Sequence, residues 1–204
     1  MVMAEKKQQK QKPVRKGRTV DKWKKKQWFN IIAPNDFDRK FLGETVAEKP
    51  KNVEGRIIKV DMGQLTGQRQ KRHISILFKV DRVEGNNANC VTVGHTTSHG
   101  FLNRLIRRRM SKIDTVQRLD TSDGKRIKVK AIALTQRKLS KKQETAMRKI
   151  AEETIENAAG KKTYSQLSQE LIFGVLASKI FKQLTKIAPV KRVEVIESRL
   201  LEGK

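Results

Sequence analysis

A chain of 204 residues that carries 47 lysines and arginines against 21 aspartates and glutamates, a net charge of +26, has few ways to be compact on its own. Positive charge on that scale repels itself and favours folds that are completed by a polyanion. RNA, DNA and an anionic membrane surface are the candidate partners, and a pI of about 10.5 is the usual footprint of nucleic-acid binding. The charge is not confined to one removable segment. Residues 1–27 hold 11 Lys/Arg and two acids, Glu5 and Asp21, which leaves 36 basic and 19 acidic residues in the remainder. That first segment has too few apolar residues to offset its ordering entropy, so it reads as a basic, disordered N-terminal arm that RNA would order. Hydrophobic residues make up 36% of the chain, enough to support one core within residues 28–204.

The membrane reading is the weakest of the three. No run approaches the roughly 18–20 apolar residues of a span, the N-terminus lacks the apolar stretch of a secretory signal, and neither end carries a basic amphipathic helix. Cys90 is the only cysteine, so no internal disulfide exists and a reducing cytoplasm is expected.

Hydrophobic periodicity predicts an α+β fold. Trp28 to Pro34 is a short β-prone run with Trp28 and Phe29 as the first core residues, and residues 53–60 read as a second strand. Residues 73–83 alternate, placing Ile74, Ile76, Phe78 and Val80 on one face, and a short strand follows around 89–95. Residues 112–120 and 125–134 flank Asp123-Gly124, a type I′ hairpin signal, and 190–200 is a last strand. Residues 99–110 predict a helix. Ser140 to about Ala159 predicts a longer one, with a Ser140/Gln143 capping box, Gly160 as a left-handed stop, and a buried stripe from Met147 to Ala158. Thr163 and Gln166 repeat the capping-box spacing, and Gly174 divides the helical region that they open. The expected architecture is a mostly antiparallel curled sheet or small β-barrel of about six to seven strands with packed helices, since closure hides strand edges.

The candidate chemistry is phosphate and base contact. Lys22, Trp23, Lys24, Lys25 and Lys26 interleave cations with a ring that can stack on an unpaired base. Arg104, Arg107, Arg108 and Arg109 crowd four guanidinium groups into six residues without an acid, and a continuous helix would put the first three on one face, opposite Leu105 and Ile106. Residues 62–72 form a Gly- and Gln-rich loop with Arg69, Lys71 and Arg72, either an RNA-inserting loop or a flexible hairpin end. Arg137, Lys138, Lys141 and Lys142 precede or open the long helix, whose backbone donors would add to phosphate binding, and Lys161 and Lys162 follow its end.

Phosphate-binding loops of the GxxxxGK[ST] and GxGxxG types and the HExxH pattern are absent, so no catalytic residue and no cofactor is expected. Cys90, His95 and His99 have suggestive spacing, yet a structural zinc site wants four ligands. A small buried thiol and two polar turn residues is the simpler reading, and no metal is expected. Asp36 and Asp38 stand alone as a nuclease-like pair.

Several segments, taken together, resemble one family. Trp28-Phe29-x-Ile31-x-Ala33-Pro34-x-x-Phe37, Leu42-Gly43-x-Thr45, Gly55-Arg56-Ile57 and Thr121-x-Asp123-Gly124 stand in the order found in the archaeal and eukaryotic small-subunit ribosomal protein family called "S three A". The resemblance covers about residues 20–200 and is to the shorter, archaeal form. It implies a cytoplasmic structural constituent of the small ribosomal subunit. Its implied place is the platform near the messenger-RNA exit, on the 3′ region of the small-subunit rRNA and beside neighbouring ribosomal proteins. It implies a barrel-like β domain with packed helices, and neither a small-molecule substrate nor a membrane. The alternatives are a transient RNA chaperone or translation factor, and a metal-dependent RNA-processing nuclease.

Overall fold

The computed structural model describes residues 22–201. The greater part of the basic arm, residues 1–21, and the last three residues lie outside them. From Lys22 to Lys25 the chain makes a single 3-10 turn that leads into the first strand.

Period-2 alternation builds the first half. Strand β1 (Gln27–Ile32) pairs antiparallel with β2 (Phe41–Ala47), and β3 (Ile57–Asp61) pairs antiparallel with β4 (Ile74–Glu84). β4 turns at Gly85 into β5 (Asn87–Thr97), which also runs parallel to β1. Phe29, Ile31, Ile76, Phe78, Val80 and Cys90 point to one side and bury together, with Phe37 edge-on to Phe78 at 5.5 Å. At roughly 1.5–3 kcal/mol for each large side chain removed from water, these strands are held by that shared face more than by their ladders. Trp28 falls on the opposite side and is 59% exposed. Strand alternation cannot bury both Trp28 and Phe29, so the expectation that both open the core is corrected.

The second half is a sheet under helices. β6 (Lys112–Asp120) and β7 (Arg126–Thr135) form a hairpin, and β8 (Val190–Leu201) pairs with β7 on one edge and with β5 on the other. Helices α3 (Lys141–Gly160), α4 (Tyr164–Phe173) and α5 (Val175–Leu184) cover the face carrying Ile127, Val129, Ala131, Val193 and Val195. α3 has the expected stripe: Met147, Ala151, Ile155 and Ala159 are buried, with Ile150 and Ala158 packed beside them. Its capping box is present too. Ser140 Oγ accepts from the Gln143 N–H, and Gln143 Oε1 accepts from the Ser140 N–H. Gly174, at φ +84°, makes the break between α4 and α5.

The fold is α+β, with eight strands among the described residues rather than six or seven. Their order is β2-β1-β5-β8-β7-β6, with β3 attached through β4. The path is open, in place of the curled or barrel form expected for hiding edges. Its two ends are buttressed by arginines instead: Arg56 donates to Val46 O and Thr45 Oγ1 on β2, and Arg148 of α3 donates to Asp114 O on β6.

Local signals misled at several points. The loop expected over 62–72 contains a short helix, α1 (Met62–Thr66), whose Met62 and Leu65 are core residues, so it is anchored rather than a flexible end. Gly160 stays helical and Lys161 follows in right-handed conformation, so the stop is not left-handed. The hairpin is not type I′. Only Gly124 has positive φ, and Thr121 N–H bonds Lys125 O around a three-residue loop. Thr163 makes no side-chain cap. The Asp123 carboxylate caps α4 from the hairpin instead, accepting from the Tyr164 N–H at 3.0 Å. Asp123→Ala should therefore destabilise the protein by about 1 kcal/mol in urea unfolding, while Thr163→Ala should cost less.

Candidate nucleic-acid interface

The leading cations sit on the 3-10 turn and on the residues after it. Trp23 is 61% exposed, with Lys26 Nζ 4.5 Å from its ring centroid, and Lys24 and Lys25 are exposed beside it. Trp28 shares the outward side of β1 with Ile32, and Ile32 lies opposite the exposed Phe41 of β2. Large rings at solvent next to lysines are what base stacking requires.

The arginine cluster is arranged differently from the helix face expected. Helix α2 (His99–Leu105) ends at Ile106, which is extended, and Arg109 takes a left-handed φ of +65°. α2 is spent on packing Leu102 against Ile132 and Leu134. Arg104 therefore projects from the helix while Arg107, Arg108 and Arg109 lie on the loop that follows, all four exposed.

That loop is fastened to the start of α3. The Ser111 N–H donates to Thr135 Oγ1 at 2.9 Å, the Leu139 N–H donates to Ser111 Oγ at 3.0 Å, and Ser111 Oγ donates to Glu144 Oε1 at 2.8 Å. The Ser111 hydroxyl first, and the Lys141 ammonium next, hold the Glu144 carboxyl below its ordinary range. This buried knot brings together two groups that sequence left separate. Arg107–Arg109 come to one end of the molecule with Arg137, Lys138, Lys141 and Lys142, every one of them exposed. Buried Leu139 pins the second group in place. The result is a basic rim whose Glu144 carboxylate is already held by Ser111 and Lys141.

The remaining candidates lie elsewhere. Twenty residues of α3 span about 30 Å, so Lys161 and Lys162 are at the other end of that helix from the rim. Lys162 is paired with Glu170, and Lys179 approaches the same carboxylate. Burial raises the Glu170 pKa, but these two ammonium groups outweigh it and leave it lowered. Arg69 and Arg72 are exposed around the 3-10 turn after α1, while Lys71 lies over the Phe173 ring at 5.5 Å.

Among the described residues no cluster of three or more metal-ligating side chains forms. Cys90 is a buried thiol in β5, its pKa pushed up to about 11 by burial. His99 is exposed at the start of α2. His95 is not a turn residue as expected. It lies within β5, 1% exposed. Asp36 donates no partner to such a cluster either; its carboxylate accepts from Ser165 Oγ.

Two features escaped sequence reasoning. One is the outward placement of Trp28. The other is that the solvent side of the β6–β7–β8 sheet also carries cations, at alternate positions Arg126, Lys128 and Lys130. The same alternation that marked Ile127 and Val129 as core was the available signal.

An α+β scaffold with a basic rim, exposed rings and positive charge on both strands and loops is the class of surface that suits a polyanionic partner. The chain belongs to the Ribosomal S3Ae family, whose pattern it matches over residues 14–204. It is 35% identical over 184 residues to the small ribosomal subunit protein eS1 of Methanobrevibacter smithii, covering 90% of this chain and 95% of that protein. It is 38% identical over 188 residues to the protein of the same name from Saccharolobus islandicus, covering 92% and 90%. With that of Methanococcus vannielii it shares 36% identity over 189 residues, covering 92% and 86%.

Proposed function

We propose that this chain is a structural protein of the cytoplasmic small ribosomal subunit. It binds small-subunit rRNA of the 3′ region at the platform near the messenger-RNA exit, and neighbouring subunit proteins adjoin it. The observation that carries the reading is the basic rim. Seven exposed cations from two distant sequence segments, Arg107–Arg109, Arg137, Lys138, Lys141 and Lys142, are fastened together by a buried hydrogen-bond knot. A concentration of positive charge, of which Lys141 alone is paired with an acid among these seven, suits phosphate neutralisation with counterion release. Kinship with proteins named for the small ribosomal subunit supports the location. In this reading the 1–27 arm becomes ordered on RNA, and the protein has no catalytic step.

Two measurements test it. In cell extracts the protein should sediment with small subunits, near one copy each, through moderate salt; recovery in ribosome-free fractions would refute residence in the particle. In vitro, the triple variant Arg107→Ala, Arg108→Ala, Arg137→Ala should keep the parental unfolding midpoint. Its log Kd against log salt for an rRNA transcript should be shallower by about 2, at roughly 0.7–0.9 per lost phosphate contact. An unchanged slope would remove the rim from the interface.

A further inference from the structure

The sheet face turned away from α3–α5 holds a row of positive charge that lies apart from the rim. Strand registers define it. Arg118 of β6 is opposite Lys128 of β7, and Lys128 is opposite Arg199 of β8. The row continues through Gly94 of β5 and Leu77 of β4 to Lys59 of β3. Residues paired across strands share a face. Their neighbours Ile127 and Val129 enter the helix-covered core, so this row points the other way. Arg118, Arg199 and Lys59 are exposed and Lys128 is half-buried. Paired positions lie about 5 Å apart, so three adjacent cations fall within about 10 Å.

Like charges directly opposite one another destabilise a sheet, and elsewhere on this face the chain avoids the problem. On one flank Arg126 meets Asp120 at 2.9 Å, and toward the start of β6 Lys112 meets Asp114 at 2.9 Å. Beside the row itself stands the Glu197 carboxylate. It is 2.5 Å from Lys130 and 3.7 Å from Arg199, and the Lys130 hydrogen bond is the chief cause of its lowered pKa. Glu197 is thus divided between Lys130 and Arg199, with Lys128 close enough to help lower its pKa. The excess is local. Each flanking cation has an acid of its own, while the crowded cations outnumber theirs.

We propose that the Arg118–Lys128–Arg199 row is a second anion-binding surface, laid along the phosphodiester backbone of an RNA strand. The inference rests on the reading of the chain as an rRNA-binding protein and adds a face to it. Two of the three cations are arginines, whose forks match phosphate oxygens. The charges are carried by a hydrogen-bonded sheet, which keeps their spacing fixed before any ligand arrives.

The test uses the full chain and a transcript of the organism's small-subunit rRNA. The variant Arg118→Gln, Lys128→Gln, Arg199→Gln should melt at the parental temperature or above it, because repulsion is removed. Its RNA affinity at about 0.15 M salt should fall about tenfold, and the log–log salt slope should drop by about 2. In the unmodified protein, Lys128 should become protected from acetylation when the transcript binds, a measurement that does not depend on how the variant folds. Unaltered affinity and slope, or an unprotected Lys128, with normal binding by the parent would overturn the row while leaving the ribosomal reading intact. Failure of the parent to bind the transcript would sink both. An equal loss of binding to poly-glutamate would assign the row to an acidic protein and overturn the RNA proposal.

Discussion

Gly94→Ala should cost the protein more than about 3 kcal/mol and lower its melting temperature by about 6–12 °C, although the change adds only one methyl group. A Cβ at Gly94 would lie 2.0 Å from the carbonyl oxygen of Ser198 and 2.8 Å from its carbonyl carbon. Both atoms are backbone in a paired strand, so no side chain can swing aside. Either β5 and β8 separate or the backbone of one of them buckles. The location multiplies the effect. In the sheet path, the pairing of Gly94, His95 and Thr96 with Arg199, Ser198 and Glu197 is the join between the β1–β5 half and the β6–β8 half. Parting the strands there loosens the sheet seam on which the halves meet. Gly100→Ala is the control. Its Cβ would meet nothing closer than 3.9 Å, and alanine favours the helix it sits in, so stability should hold or rise slightly. Urea unfolding of both variants decides the matter: a Gly94→Ala protein within about 1 kcal/mol of the parent would mean that the seam is far more compliant than its packing implies.

The seam also separates what the sequence disclosed from what it concealed. β6, β7 and α3 were legible because each carries its own period. Ile127, Val129 and Ala131 alternate, and Met147, Ala151 and Ile155 recur at helical spacing beneath a Ser140 cap that needs only Gln143. Those are local patterns. Gly94 falls inside the short strand read around 89–95 with no local reason for a glycine, and its reason is an atom on Ser198, more than a hundred residues away. The site divides the same way. Exposed cations could be nominated one segment at a time, and the described ones are mostly at the surface. Which of them stand together depends on Ser111 bonding Thr135, Leu139 and Glu144. The arginine helix face failed because apolar Leu105 and Ile106 continue the helical period, while the chain must straighten at Ile106 to enter β6. The Arg118–Lys128–Arg199 row combines three strands, two of them neighbours in sequence and one from the C-terminal end. Only register reveals that its cations face one another.

The same seam should make the fold sensitive to acid in a range where few other groups titrate. His95 is buried at the join, and burial is the first cause that lowers its pKa, to about 4 from an ordinary 6.5. Its partners fix one neutral tautomer. Nε2 faces the Val195 carbonyl at 3.3 Å, an acceptor, so Nε2 carries the hydrogen. Nδ1 then accepts from Ser198 Oγ at 2.6 Å, and that hydroxyl oxygen in turn accepts from the His95 N–H at 3.1 Å. A second ring proton would set Nδ1–H against a hydroxyl hydrogen and place a charge in a buried site. Because the folded pKa is below the unfolded one, the unfolded chain binds more protons between these values. The stability that neutral His95 contributes is therefore full above about pH 6.5 and is lost as pH falls toward 4. At pH 5 the loss relative to pH 7.5 should be about 2 kcal/mol, before the lowered carboxylates Glu144, Glu170 and Glu197 begin to matter. His95→Gln keeps a polar group in the strand and removes the titration. Its stability should be lower at pH 7.5 and nearly the same at pH 5. If the parent and the variant lose equal stability between those two pH values, His95 does not govern the acid response, and the proton goes to another group.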